Sequence, residues 1–143
     1  MSKSNVYETA ILQLLFNATP IPNVADNASV APLTELFVSL HTASPGEAGD
    51  QSTNEISYTG YARVGVARTS GGWTITGNSV SPNADITFGE MTGGTGGTIT
   101  HAAVGRAASG GNDIFYYGTV TPNIAVSTGV TPKIAAGSTI TED

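Results

Sequence analysis

Apolar and polar positions alternate with period two over residues 36–41, where Leu36, Val38 and Leu40 interleave with Phe37, Ser39 and His41. That is the pattern of a strand with one covered face. Strand-like runs recur at 61–68, 73–76, 86–88, 98–104, 114–120 and 124–126, with a last short one near Thr139. The stretches between them carry turn chemistry: Ser70, Gly71 and Gly72; Gly77 and Asn78; Pro82 and Asn83; the glycine pairs of 93–97; Ser109 to Asn112; and Gly129. Gly and Asn supply positive φ there and Pro presets a turn. About eight short strands at this spacing predict an all-β sandwich or barrel, not an α/β fold.

One segment has helical spacing. Tyr7, Ile11, Leu14 and Leu15 recur on one face, and Asn5 with Glu8 three residues later forms a capping-box pattern. A helix is expected over 5–17, stopped before Pro20, with Glu8, Thr9 and Gln13 on its solvated side. It either covers an open end of the β-structure or reaches a neighbouring subunit through Tyr7 and Ile11. Residues 21–32, with two prolines and no sustained period, read as an irregular connection.

The chain has 143 residues, the length of a single domain over 1–143 with a modest core. Its 18 Gly and 7 Pro disfavour long helices. Charged residues make up 11%, against roughly 25% in ordinary soluble domains, so much of the surface is hydroxyl, amide and backbone. Such a surface loses little solvation when it is buried against another subunit.

Five basic residues against eleven acidic ones give a net charge of −6. Lys3, Arg63, Arg68, Arg106 and Lys133 are too dispersed to displace counterions from a phosphate backbone, which argues against nucleic acid as a partner. No apolar run approaches the ~20 residues that cross a bilayer, and no secretory signal is visible. A membrane partner is therefore not expected, and synthesis in a cytoplasm is. Without cysteine, disulfides and thiolate metal sites are excluded.

The stretch 36–68 carries a further signal. Its LFVSLHT strand, PGEAGDQSTNE loop and YTGYARV strand running on to Trp73, with weaker echoes in ITHAAVGRAASGG, AVSTGVTP and AAGSTIT, resemble a family of short tailed-phage virion proteins. Members are described as capsid decoration or cement proteins, or as tail-fibre proteins. The resemblance implies a jelly-roll-like β-sandwich, with an immunoglobulin-like sandwich as the alternative. It also implies a non-enzymatic virion part made in the host cytoplasm. The main expectation is a capsid decoration protein, a homo-oligomer and by analogy a trimer, holding major capsid subunits through many weak contacts. The alternative is a tail-fibre, adaptor or receptor-binding module recognising host glycans.

Candidate chemistry is sparse. His41 or His101 could serve Ser39 as a base, oriented by Asp85 or Asp113, but no nucleophile motif surrounds them, and a structural role for strand histidines is the simpler reading. Zinc needs about four ligands and finds two histidines. Glu47, Asp50, Asn54 and Glu55 crowd one loop without EF-hand spacing, so a solvated acidic loop is favoured over calcium. Glu35, Asp85, Glu90 and Asp113 could pair across a sugar, yet nothing singles out two of them. The segment 93–97 lacks the Lys-Ser/Thr ending of a phosphate loop and reads as a flexible hairpin tip. No catalytic, cofactor or metal residue is assigned.

Contact residues are a different matter. The loop 42–55, with Glu47, Asp50 and Glu55, is long enough to be functional or mobile. Thr95 lies at the glycine-rich tip. Tyr58, Tyr61, Trp73 and the run Phe115, Tyr116, Tyr117 are core candidates first, with Tyr58 and Tyr117 as possible anchors for a partner or a sugar. Arg63 has two readings: an ion pair with Glu47, Asp50 or Glu55, or a bidentate bridge to an acidic group on a neighbouring subunit. A regular strand would point Arg63 and Arg68 to opposite faces.

Overall fold

The structure, a computed structural model, describes residues 3–21, 24, 25, 27 and 32–142. Most of the expected connection over 21–32 lies outside the described residues. The elements are α1 (Asn5–Asn17), β1 (Glu35–His41), β2 (Val64–Ala67), β3 (Trp73–Thr76), β4 (Ser79–Pro82), β5 (Ile86–Thr87), β6 (Gly97–Gly105), β7 (Ile114–Val126), β8 (Lys133–Ile134) and β9 (Ile140–Thr141). The protein is all-β with one short helix, as the alternation and turn chemistry predict. The sheets have orders β2-β1-β6-β7, β3-β4-β9 and β5-β8, and the registered pairings are antiparallel.

The chain divides into two compact units, each discontinuous in sequence. One comprises Met1–Glu35, Val66–Asp85 and Ala135–Asp143; the other comprises Leu36–Gly65 and Ile86–Ile134.

In the first unit, α1 packs on β3 and β4. The helix is capped one residue earlier than the sequence suggests. Ser4, with extended φ and ψ, accepts a hydrogen bond from the Tyr7 N–H at 3.4 Å, which moves Glu8 beyond the capping-box position. The buried stripe also differs. Glu8, Leu12 and Phe16 face inward, while Tyr7 is 44% exposed and Ile11 is half-buried. Trp73 decides the rotation: Phe16 meets it edge-on, ring centroids 4.8 Å apart, and one aromatic pair outweighs the smaller apolar residues on the adjoining face. Thr9 Oγ1 donates to the Gly77 carbonyl at 2.7 Å, tying α1 to the tight turn between β3 and β4. β4 was not visible in the sequence, because Val80 is its only large apolar residue between two turn signals.

Arg68 organises the same unit. Its guanidinium donates to the carbonyls of Leu14 and Leu15, to that of Leu33 at 3.2 Å, and to Asn27 Oδ1 at 2.7 Å. A cation at the carbonyl end of a helix satisfies orphan acceptors and opposes the negative end of the macrodipole.

In the second unit the core is formed by Leu36, Val38, Leu40, Ile56, Tyr58, Ile86, Phe88, Met91, Ile99, Val104 and Val126. Burying each large aliphatic side chain contributes about 1.5–3 kcal/mol. β1 departs from a half-buried strand, since Ser39 and His41 are as fully buried as Leu40. Both of its faces are covered. The expected strand over 61–68 is shorter, beginning at Val64, and the two runs at 114–120 and 124–126 are one strand, β7. The segment 93–97 is no hairpin tip: Gly93 bridges to Thr59, and Gly97 opens β6.

Candidate functional site

Residues 42–63 form a polar assembly on β1 within the second unit. Asp50 starts it: its Oδ1 accepts from the Ser52 N–H at 2.8 Å, the Ser52 hydroxyl at 2.7 Å and the Thr53 hydroxyl at 3.2 Å. These donors favour the charged carboxylate and hold Asp50 below its usual pKa, the Ser52 hydroxyl contributing most. The turn so formed presents the Thr53 carbonyl to His41 Nδ1 at 2.8 Å. A carbonyl only accepts, so Nδ1 carries the proton and Nε2 accepts from the Ser39 hydroxyl, 2.8 Å away. Burial lowers the pKa of His41.

Ser39 and His41 thus adopt a nucleophile-and-base geometry by name only. Both have no accessible surface, so no substrate reaches the hydroxyl. The orienting group is a backbone carbonyl. Asp113 instead pairs with Arg106 at 2.7 Å, and Asp85 accepts from the Ala136 N–H. Among the described residues, no group of three or more His, Asp or Glu is placed to hold a metal ion.

Arg63 closes the assembly. Its Nε and Nη2 each donate to Glu55 at 2.7 Å, one to each carboxylate oxygen, and the remaining donors reach the carbonyls of Ala107 at 3.0 Å and Gly110 at 2.9 Å. The Glu55 hydrogen bonds raise the Arg63 pKa further. Tyr61 completes the cluster, donating to Glu55 Oε1 at 2.8 Å and accepting from the Leu40 N–H at 3.1 Å. Burial pushes its phenol pKa well up. Of the two readings for Arg63, the local ion pair is the one observed, and it is with Glu55.

The remaining candidates are scattered. Glu47 and Thr95 are exposed. Tyr58 is buried, donates to the Gly89 carbonyl at 2.8 Å and packs near Tyr61, so it presents no face to a sugar. Tyr7 and Ile11 lie in the first unit. Tyr117, 40% exposed, is the large aromatic of the second unit that faces solvent most. Gln51, which sequence reasoning passed over, is fully buried; its Oε1 accepts from the Ala107 N–H at 3.0 Å and its backbone N–H donates to the Asn112 carbonyl. No local signal marks it, because its partners lie far along the chain.

The last strand of the four-stranded sheet, β7, is largely open. Most of its residues are exposed or half-buried, and Phe115, Tyr116 and Tyr117 sit near its start. The assembly on β1 is thus inward-looking, with Ser39, His41 and Gln51 fully buried.

A family model described as podophage GP4 fiber I protein gp80 matches residues 2–142. No curated protein matches the chain. The match spans nearly the whole sequence, and the chain belongs to that family.

Proposed function

We propose that this member of a podophage fibre family is a non-enzymatic structural component of the tail fibre apparatus, working through shape and protein contact. The single observation that carries the reading is the family match over residues 2–142. It favours the tail-fibre alternative over capsid decoration, because the family description names a fibre. The chemistry supports it: the Ser39–His41 pair is sealed in the core, and the buried ions and amides hold a loop in place instead of facing a cleft. No described helix is long and apolar enough to cross a membrane.

Immunogold electron microscopy on intact particles, with quantitative mass spectrometry against the major capsid protein, tests this reading. Label confined to the tail, at a small copy number, is expected. Label covering the head at capsid-like stoichiometry would return the protein to capsid decoration.

A further inference from the structure

We infer that His41 is a proton-sensitive latch: mild acid frees the turn 50–54 from β1 and, with it, the loop 106–112 that rests on that turn. The ring is held on both nitrogens, Nδ1 donating to the Thr53 carbonyl at 2.8 Å and Nε2 accepting from the Ser39 hydroxyl at 2.8 Å, and it has no accessible surface. A second proton has to go to Nε2. Ser39 then turns to accept, and its own hydrogen, which bonds to His41 alone among the described residues, is left buried without an acceptor.

The surroundings do little to offset the new charge. Among the described residues, the titratable groups around the ring are Glu55, Tyr61 and Arg63 and, opposite it on β6, His101. Burial weighs most against the imidazolium, and Arg63 and His101 add to it, whereas the Thr53 carbonyl and Glu55 favour it. Glu55 is already engaged by Arg63 and Tyr61. Relief comes from water. The segment that covers Nδ1 is Asp50, Gln51, Ser52, Thr53 and Asn54, without one apolar side chain, so moving it costs hydrogen bonds and exposes no core. Local opening is therefore cheaper than unfolding. Gln51 extends the effect, since its N–H donates to the Asn112 carbonyl at 2.9 Å and its Oε1 accepts from the Ala107 N–H at 3.0 Å. A turn that leaves takes these partners from the second loop. The latch does not depend on whether the protein serves the tail or the head.

Hydrogen exchange read by mass spectrometry on the full chain, corrected for the intrinsic pH dependence of exchange, tests the latch. Peptides over 42–55 and 105–113 should lose protection together, by up to about tenfold per pH unit below about pH 6.5, while α1 keeps its own. His41→Gln should remove that pH dependence and His101→Gln should keep it. In the unsubstituted protein, the midpoint of the His41 ring-proton titration by NMR should coincide with the midpoint of loop release, which gives the same test without a core substitution. Loops equally protected at about pH 7 and 5, a loss shared by α1, a pH dependence that survives His41→Gln or vanishes in His101→Gln, or midpoints that differ would each overturn the inference.

Discussion

Arg63 and Glu55 face each other through two parallel hydrogen bonds of 2.7 Å, with the Arg63 side chain 3% exposed and that of Glu55 16% exposed. Removing one partner leaves the other ion nearly dry. Arg63→Ala is expected to destabilise the fold by about 3 kcal/mol, the scale for breaking a buried pair. Urea unfolding checks this. A loss no larger than that of a surface substitution would show that the pair is solvated in practice.

His41 makes stability depend on pH. Its folded pKa lies below the unfolded value of about 6.5, so the unfolded chain takes up the proton first. The contribution is intact above about pH 6.5 and is lost as pH falls from there toward the lowered folded pKa. His41→Gln should flatten the fall in urea midpoint between about pH 7 and 5 relative to the parent. Parallel pH profiles would assign that fall to other groups.

The rotation of α1 gives a paired test. Leu12→Ala removes a fully buried side chain and should cost about 3 kcal/mol, whereas Tyr7→Ala should stay within about 0.5 kcal/mol. Thermal or chemical unfolding reads both. The opposite ranking would restore the face that the sequence suggests.

Gly89 is required by close packing. A Cβ placed there would lie 1.9 Å from the Gly60 carbonyl oxygen, whereas one at Gly118 meets nothing within 4 Å. Gly89→Ala should therefore destabilise by about 2 kcal/mol or more, and Gly118→Ala should be near neutral. Equal midpoints for the two variants would mean that the backbone at Gly60 yields freely.

The strands were legible where side chains carry the pattern. Leu36, Val38 and Leu40 announce β1, and the helix is marked by its spacing and by Pro20. β4 was hidden because serine fills its alternate positions, and β8 because two residues make no period. The helix face is ambiguous in the sequence, since Tyr7 and Ile11 fit a stripe as well as Leu12 and Phe16 do, and Trp73, far along the chain, breaks the tie. The same distance hides Arg68, whose acceptors Leu14 and Leu15 lie more than fifty residues upstream. Glu55 is one of three nearby acidic residues that the sequence offers Arg63, with Glu47 and Asp50, and only the structure selects it; Gln51 carries no such local signal.

The register of β9 on β4 places Ile140 beside Val80. On a ribosome, β4 emerges well before β9 and stands without this neighbour until that strand has been synthesised. The three-stranded sheet therefore closes only when β9 arrives, and until then the β4 edge facing it is open while β3 occupies the other.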